Sequence, residues 1–499
     1  MSDNAAEEFD LLVVGGGPGG STVASLVAMQ GSRVVLLEKE TFPRWQIGES
    51  LLPATVHGVC RLTGVSDELA KAGFPVKRGG TQRWGASPEP WTFSFSVSPL
   101  LAGETSFAYQ VERSRFDQIL LDRAKQVGVD VREQCSVTAV LDDDERVRGV
   151  SYVDETGAAR EIRAKFVVDA SGNKSRIYPS VGGKRRYSEF FRNVALFGYF
   201  EGGRRLPPPN SGNVLSVAFD NGWFWYIPLS DRLTSVGAVV PHDKASRIQG
   251  DREEAMRSLI AECPMISDYL RDAKRVTDGQ YGELRVRKDY SYINEKFWRP
   301  GLLLVGDAAC FIDPVFSSGV HLATYSALLA SRSINSVLAG VVGEHEAFSE
   351  FEMRYRREYG VYHEFLKAFY DLNVTPDAYY SSAKQVTKNP RTELESFVEL
   401  IGGVSGESLA VTGSTAGDYE SRAREFAEAV DELIADEDQS MIPILKSSVV
   451  KRAMHEGAQV QARALLGPDS ETERPLFEGG LVPSADGLLW SVPNGGGTH

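Results

Sequence analysis

The chain has 499 residues, of which 42% are hydrophobic and 10% aromatic, so it can bury a large core in two or three domains. Its 68 acidic residues outnumber its 54 basic residues and leave a net charge of −14. That balance argues against nucleic acid as the main partner, because a protein that binds phosphate backbones needs excess positive charge.

The sequence carries no sign of export, membrane insertion or metal binding. Residues 1–8 are acidic and lack the apolar core of a signal peptide, and no run of about 18 uninterrupted apolar residues occurs. The four cysteines, Cys60, Cys135, Cys263 and Cys310, are scattered without metal-ligand spacing. We therefore expect a cytoplasmic protein with reduced thiols, no metal site and no membrane segment.

The first predicted elements form a β-α-β unit with parallel strands. An apolar strand over residues 9–14 runs into Gly15-Gly16-Gly17-Pro18-Gly19-Gly20, a helical pattern follows, and residues 32–37 form a second strand. In this G-x-G-x-x-G motif, Gly15 permits the tight turn, Gly17 lets the backbone approach a pyrophosphate, and Gly20 lets helix and strand pack closely. Glu38 ends the second strand, where a carboxylate accepts hydrogen bonds from a ribose. The combination predicts a dinucleotide-binding domain.

The rest of the chain alternates between sheet and helix patterns. Residues 90–112 and 190–240 are rich in aromatic and β-branched residues, which predicts an antiparallel sheet on the substrate side. A helical period covers residues 318–372 and returns near 378–400 and 420–464. We predict an α/β fold with a Rossmann-like nucleotide-binding domain over 1–375, interleaved with that sheet at about 85–112 and 185–290. A helical C-terminal region over 376–499 follows, with a Gly/Ser/Thr-rich loop at 402–418 and a Gly/Pro/Ser-rich tail.

Two further apolar strands end in acidic turns that contain glycine. Residues 166–168 lead into Asp169-Ala170-Ser171-Gly172, and residues 302–305 lead into Gly306-Asp307-Ala308-Ala309. An acid at such a strand end can hydrogen-bond a ribityl hydroxyl, although either turn alone would be unremarkable. Together with the segment Val111-Glu112-Arg113, they resemble the FAD-dependent proteins of the aromatic-hydroxylase fold. That resemblance implies non-covalent FAD as the nucleotide and implies that Arg113 reaches the flavin.

The segment Gly222-Trp223-Phe224-Trp225-Tyr226-Ile227-Pro228 resembles the W-x-W-x-I-P motif of flavin-dependent halogenases. In that family the tryptophan pair separates the flavin from the substrate, which disfavours direct oxygen transfer. On composition alone, aromatic residues on a strand are more often core residues. The resemblance implies that Trp223 and Trp225 form the partition.

Three other segments match the same family. Lys77, in Phe74-Pro75-Val76-Lys77, matches the essential lysine, which would hold hypochlorous acid by hydrogen bonding or react with it to form a chloramine. Residues 46–53 resemble the loop over the flavin. Ser318 and Gly319, at the start of a predicted helix, match the halide-binding pair, and the N–H groups there can bind chloride. Alternatively, these groups only cap the helix and contact the flavin.

One position departs from the tryptophan halogenases. They carry a glutamate shortly before the halide pair, where this chain has Phe316. We therefore expect an electron-rich phenol or pyrrole rather than free tryptophan. Residues 8–372 resemble halogenases of bacterial antibiotic pathways that act on acyl groups tethered to carrier proteins. The basic runs Lys184-Arg185-Arg186 and Arg204-Arg205 are candidate contacts for an acidic carrier protein.

The resemblance implies an FADH2-dependent chlorinase that forms hypochlorous acid at the flavin. Its partners would be a separate flavin reductase and an acyl or peptidyl carrier protein bearing the substrate, with chloride as the halide. Two alternatives share the FAD motifs: an aromatic monooxygenase that uses NAD(P)H directly, and an inactive flavin-binding scaffold of a biosynthetic complex.

Overall fold

The computed structural model describes residues 8–143, 145–288, 290–405 and 475–493 without 478 and 485. Within these ranges the strands, in chain order, are β1 (Glu8–Val14), β2 (Val34–Leu37), β3 (Val76–Lys77), β4 (Gly79–Arg83), β5 (Trp91–Ser94), β6 (Ala108–Tyr109), β7 (Asp130–Arg132), β8 (Ser136–Asp142), β9 (Val147–Val153), β10 (Ala159–Asp169), β11 (Arg185–Tyr187), β12 (Asn193–Glu201), β13 (Val214–Phe219), β14 (Gly222–Pro228), β15 (Leu233–Pro241), β16 (Lys274–Arg275), β17 (Arg285–Lys288), β18 (Tyr292–Asn294), β19 (Trp298–Arg299), β20 (Leu302–Leu304), β21 (Cys310–Phe311), β22 (Val482–Pro483) and β23 (Trp490–Ser491).

The helices of the same ranges follow. They are α1 (Pro18–Ala28), α2 (Cys60–Thr63), α3 (Ser66–Lys71), α4 (Arg113–Gln126), α5 (Arg252–Ala261), α6 (Pro264–Tyr269), α7 (Ser318–Leu338), α8 (Glu344–Phe369), α9 (Pro376–Thr387) and α10 (Glu393–Gly402). Short 3₁₀ turns and one π-helical segment at Ala54–Val59 connect them. No helix among the described residues is long and apolar enough to span a membrane.

The first sheet has a parallel centre in the order β20-β10-β1-β2-β7. Val14 is in register with Leu37 and with Asp169, and Asp169 is in register with Leu304, so four strands end at one level. Their near-continuous apolar sequence follows from burial on both faces, because helices cover a parallel sheet. The α/β fold is confirmed, and the parallel sheet contains one strand, β7, beyond the four that were predicted.

The second sheet has the order β16-β12-β15-β14-β13-β4-β5, with β17 also paired to β12. All of its pairs are antiparallel except β13 with β4, and it begins at Gly79 rather than at residue 85. On β14, Trp223 and Trp225 face the core shared with the first sheet, whereas Phe224 faces a second core under α5 and α6. The two-residue period of a strand places both tryptophans on one face.

The helical region departs from the predicted pattern at one place. The expected helix near 378–400 is two helices, α9 and α10, because Lys388 has a φ of +54° and Pro390 cannot continue a helix. A capping box between Thr392 and Glu395 restarts the helix. The predicted helix at 420–464 and the predicted loop from residue 406 onward lie outside the described residues.

The described part of the tail packs against the long helices. Trp490 is fully buried, and its Nε1 donates to Ser333 Oγ of α7 at 2.8 Å. Arg354 of α8 donates to the Leu481 carbonyl at 2.6 Å. Ser333 lies ~22 Å along α7 from the first residue of that helix. This segment therefore buttresses the distal half of α7.

Candidate active site

A cavity of about 780 Å³ lies where the carboxyl ends of β1, β10 and β20 face the second sheet. Its walls come from the turns after these strands, from residues 44–50, from β14 and from the start of α7. Nucleotides bind at the carboxyl ends of parallel strands in α/β proteins. Predicted site residues that line it are Gly15, Gly17, Glu38, Arg113, Trp223, Trp225, Gly306, Asp307 and Gly319.

The glycine loop forms one end of the cavity. Gly15 has a φ of +100°, and a Cβ there would lie 2.7 Å from the Ala170 carbonyl oxygen. Gly17 is the N-cap of α1 and Pro18 is its first residue, so unpaired N–H groups begin at the cavity wall. A Cβ on Gly20 would overlap the Gly15 carbonyl oxygen. The loop therefore has the geometry that pyrophosphate binding requires.

Glu38 has a second function that the sequence did not indicate. Its Oε2 accepts from the Gly16 N–H at 2.6 Å, and its Oε1 accepts from the Glu40 N–H at 2.8 Å. The carboxylate thus fixes the glycine loop onto the end of β2. Each oxygen keeps a free lone pair, and Glu38 lines the cavity, so the predicted ribose contact remains sterically open.

Two arginines share one buried carboxylate beside the cavity. Arg113 donates to both oxygens of Asp117, at 2.7 and 2.9 Å, and Arg44 donates to Asp117 Oδ2 at 2.6 Å. Arg113 also donates to the Ile47 carbonyl at 2.5 Å, which anchors the 44–50 loop. Both guanidinium groups line the cavity. Arg44 is a candidate phosphate ligand, because its Nη2 would lie 3.5 Å from a Cβ on Gly17.

The two strand-end acids are placed differently. Asp169 is fully buried and accepts from the Ser171 N–H, the Ser171 hydroxyl and the Ser175 hydroxyl, so it shapes the turn whose following residues line the cavity. Asp169 was predicted to bind the ribityl chain, but it does not line the cavity and acts on it only through the turn that it holds. Asp307 lines the cavity itself. Burial raises the pKa of Asp307 to about 6, although the positive charge of Arg113 lowers it in part.

The tryptophan pair forms one wall of the cavity. Trp223 and Trp225 are 3% and 7% exposed, with ring centroids 6.1 Å apart. The Trp225 indole N–H donates to Ser235 Oγ at 3.2 Å, and the Trp223 indole N–H donates to the Tyr370 hydroxyl at 3.0 Å. Both rings are therefore fixed by a polar contact as well as by packing.

Lys77 is a buried amine, only 3% exposed. Its Nζ donates to Ser50 Oγ at 2.9 Å and to the Leu51 carbonyl at 3.0 Å, and it lies 5.7 Å from the centre of the Phe95 ring. No carboxylate of the described residues pairs with it, and burial lowers the pKa of Lys77 to about 7. Ser50 lines the cavity and connects the amine to its wall. A neutral amine is a nucleophile, so this environment suits reaction with an electrophilic halogen.

The predicted halide pair opens α7. Ser317, the N-cap, has a φ of +61°, and the N–H groups of the first turn that follows have no acceptor within the helix. Ser318 is 1% exposed, and its Oγ has no hydrogen-bond partner among the described residues. Pro314, Ser317 and Gly319 line the cavity. Free N–H groups and a free buried hydroxyl are the donors that an anion requires.

Phe316 lies in a buried cluster of five phenylalanines. Its ring centroid is 4.4 Å from that of Phe369, 5.4 Å from Phe365 and 6.2 Å from Phe397. Phe397 in turn lies 5.3 Å from Phe93. The phenylalanine cluster (Phe93, Phe316, Phe365, Phe369, Phe397) therefore joins α8, α10 and the second sheet, and Phe95, 6.0 Å from Phe93, connects it to Lys77.

Comparison with known proteins decides the family. A family model described as tryptophan halogenase matches residues 10–103 and 97–442. The chain belongs to this family of flavin-dependent halogenases. This halogenase is 34% identical over 379 residues to a tryptophan 2-halogenase of Chondromyces crocatus, covering 75% of this chain and 70% of that protein. It is 31% identical over 434 residues to a 1H-pyrrole-2-carbonyl-[peptidyl-carrier protein] chlorinase of Pseudomonas fluorescens, covering 82% and 92%.

Solved structures agree with that assignment. The myxobacterial chondrochloren halogenase CndH superposes with a TM-score of 0.74 and 49% identity, covering 97% of this chain and 100% of that one. The flavin-dependent halogenase CmlS superposes with a TM-score of 0.69 and 27% identity, covering 97% and 84%. The halogenase is thus an oxidoreductase that uses FADH2 and halide, and enzymes of this family need a flavin reductase.

The residues of the cavity fit FAD. The glycine loop and Arg44 would hold the pyrophosphate, Glu38 the adenosine ribose, and Asp307 with Arg113 the ribityl and flavin part. When bound and reduced, FAD supplies the electrons that activate molecular oxygen. The chain contributes a closed wall at Trp223 and Trp225, anion donors at the start of α7, and a buried amine at Lys77.

One lining residue carries no motif-based prediction of its own. Glu49 is 2% exposed and lines the cavity, and its Oε1 accepts from the Tyr199 hydroxyl at 2.7 Å. Burial raises the pKa of Glu49 to about 7, opposed by hydrogen bonds from Ser235 and Tyr199 and by the charge of Arg113. The signal in the sequence was only its place within residues 46–53, because its partners come from β12 and β15.

Proposed function

We propose that this halogenase chlorinates an electron-rich aromatic acyl group, a phenol or a pyrrole, that is tethered to an acyl or peptidyl carrier protein. The observation that carries the proposal is the phenylalanine cluster around Phe316. A free amino acid needs partners for its ammonium and carboxylate groups, and the buried rings around Phe316 offer none. The pyrrole chlorinase of Pseudomonas fluorescens, which acts on a carrier-bound acyl group by its name, supports the same substrate class.

The halide would bind at the start of α7. The N–H groups of Ser318 and Gly319 and the free Ser318 hydroxyl supply donors there, and the adjoining residues line the cavity. Chloride would be oxidised there, on the flavin side, to hypochlorous acid, with molecular oxygen activated by reduced FAD as the two-electron oxidant and the source of the oxygen atom. Trp223 and Trp225 would keep the substrate ring away from that side.

Lys77 would carry the chlorine to the substrate. The neutral amine reacts with hypochlorous acid, forming an N–Cl bond and releasing water. The aromatic ring then takes chlorine from nitrogen, and the ring proton returns to the amine. Electron pairs and protons balance without a further base, so a phenylalanine at position 316 is compatible with this step. An electron-rich ring is required, because position 316 holds no carboxylate to stabilise its cationic intermediate.

The carrier protein would dock on an exposed aromatic and basic segment. Tyr187 and Phe190 are 57% and 53% exposed, and the exposed residues Lys184, Arg186 and Arg192 flank them. The patch lies beside Tyr370, whose hydroxyl contacts Trp223. Arg186 pairs with Glu295 as Arg204 pairs with Asp268, so the second basic run is less available because of Arg205, which donates to Thr234, Ser230 and Leu233.

Reconstituted turnover tests the substrate class. Purified halogenase, a flavin reductase, FAD, NADH and chloride are incubated with pyrrolyl and hydroxyphenyl acyl groups on carrier proteins, with the free acids and with tryptophan. We expect the mass change of chlorine replacing hydrogen on the carrier-bound substrates only. Chlorine should still be the halogen added when bromide is present at equal concentration. Chlorination of free tryptophan alone would overturn the proposal.

A charge reversal tests the docking surface. Lys184→Glu with Arg192→Glu should raise the KM for the carrier-bound substrate several-fold and leave turnover of a small thioester unchanged, because rim charges act mainly on association. Arg204→Glu is the matched control. Equal effects of both variants would place the carrier elsewhere.

A further inference from the structure

A series of hydrogen bonds joins the tryptophan wall to the halide loop, defined here as residues 313–319. The Trp223 indole N–H donates to the Tyr370 hydroxyl at 3.0 Å, and that hydroxyl donates to Asp313 Oδ2 at 2.9 Å. Asp313 Oδ1 accepts from the Val315 N–H at 3.0 Å, inside the loop itself. The two ends of the series lie on different elements that both line the cavity.

The bonding roles in this series are fixed. An indole N–H only donates and a carboxylate only accepts, so the Tyr370 hydroxyl must accept from one and donate to the other. Burial and the Asp313 carboxylate raise the pKa of Tyr370, which keeps its proton in place. Tyr370 thus links the two ends of the series, and its removal leaves the Trp223 indole N–H without this acceptor and takes one donor away from Asp313 Oδ2.

Asp313 depends on these bonds. It is fully buried, and among the described residues no lysine or arginine lies within ion-pair distance of it. Within the described ranges, the carboxylate has one further contact beside Tyr370 and Val315, a long one of 3.4 Å from Asn193. A buried carboxylate without a cation is held in one orientation by its hydrogen-bond donors. The Asp313 carboxylate of the halide loop and the Trp223 indole therefore share the Tyr370 hydroxyl as a hydrogen-bond partner.

We propose that Tyr370 is a positioning residue that couples halide binding in the 313–319 loop to the placement of the Trp223 ring. When the loop closes on a halide, Asp313 and Tyr370 transmit its position to the wall that keeps the substrate from the flavin side. The inference rests on the proposed halide site. It gives Tyr370, the C-cap of α8, a role in the efficiency of halogen transfer.

Nuclear magnetic resonance of the indole groups tests the coupling. The chain has seven tryptophans. FAD-loaded protein labelled with ¹⁵N-tryptophan therefore gives few indole signals, and Trp223→Phe identifies one of them. Titration with sodium bromide should move the Trp223 signal in the wild-type protein and leave it unmoved in Tyr370→Phe. The same variant should lose roughly three- to tenfold in halogenated product per oxygen consumed, the range expected for one hydrogen bond.

Tyr362→Phe is the matched control, because Tyr362 is on the same helix and its hydroxyl donates to the Leu400 carbonyl at 2.8 Å. Its Trp223 signal should respond to bromide as in the wild type. Melting temperature and FAD affinity, expected to be similar in both variants, show that each is folded. A bromide response in Tyr370→Phe equal to that of the wild type overturns the coupling. A wild-type signal that ignores bromide, while a Ser318→Ala variant loses halide affinity, also overturns it and leaves the halide site intact.

Discussion

Two regions of the molecule are built from different chemistry. On the flavin side, charged and polar groups such as Glu38, Arg113 and Asp307 line an open cavity. The dry side, defined here as Lys77 and its contacts, holds one amine against Ser50, Leu51 and the Phe95 ring, and burial lowers the pKa of that amine to about 7. The first region fits a large charged cofactor, and the second keeps an amine away from solvent.

That difference separates FAD binding, which is common to the fold, from halogen transfer, which is specific to this enzyme family. The flavin side belongs to a fold shared with hydroxylases, so its residues state only that FAD is bound. Under the proposed function, the dry side would determine what is done with the oxidised halide and which ring receives it. Variants on the two sides should therefore have separable effects, on cofactor affinity and on halogen transfer.

Phe397→Ala should have the largest effect on stability. Its ring is fully buried between Phe93, Phe316 and Phe365, and deletion of such a ring costs about 3–5 kcal/mol. FAD affinity per folded molecule should stay unchanged, since Phe397 does not line the cavity. Denaturant unfolding measures the loss. Phe190→Ala, which removes a 53% exposed ring, should cost less than ~0.5 kcal/mol, and equal losses would refute a packed cluster.

Lys77→Ala should reduce halogenated product by at least ~100-fold, because loss of a covalent carrier removes a catalytic step. FAD affinity and oxygen consumption should persist, since the flavin side is intact. Lys77→Arg should not restore product, because a guanidinium stays protonated. The exposed Lys367→Ala is the control. Product at the wild-type rate in Lys77→Ala would make the lysine structural, and a lower FAD content would indicate misfolding.

Glu38→Ala should weaken FAD binding by roughly ten- to hundredfold, the range for one or two hydrogen bonds to a charged group. The loss combines the ribose contact with the bond to the Gly16 N–H. Product formed per bound FADH2 should not change. Fluorescence titration of FAD measures the affinity, with Glu68→Ala, an exposed acid outside the cavity, as control. Equal affinities would mean that Glu38 only ends a strand.

The sequence predicts the flavin side better than the dry side for a physical reason. Glycine loops and strand-end acids are local patterns, and parallel strands bring their carboxyl ends together without further information. Tyr370 lies 147 residues from Trp223 and 57 from Asp313, so its role depends on how α8 packs. The shared carboxylate of Asp117 and the Glu49–Tyr199 pair likewise exist only in the folded chain. The sequence shows Phe316 in place of the glutamate of tryptophan halogenases, whereas its ring neighbours on α8 and α10 are evident only in the folded chain.

The most discriminating effect is the pH dependence that Lys77 confers on stability. Burial lowers the pKa of Lys77 to about 7 in the folded protein, whereas an unfolded lysine titrates near ~10.4. Between these values the unfolded chain binds one more proton than the folded chain, so stability should rise with pH across this window, by at most ~1.4 kcal/mol per pH unit. Lys77→Met removes the titrating group and keeps the length of the side chain. With FAD saturating, the wild-type stability minus that of Lys77→Met should therefore climb between pH 7 and 10 and be flat below pH 6. Glu49, Asp307 and Asp313 titrate in both proteins and cancel in the difference. A flat difference across the whole range would mean that the amine is hydrated, and chloramine formation at neutral pH would lose its basis.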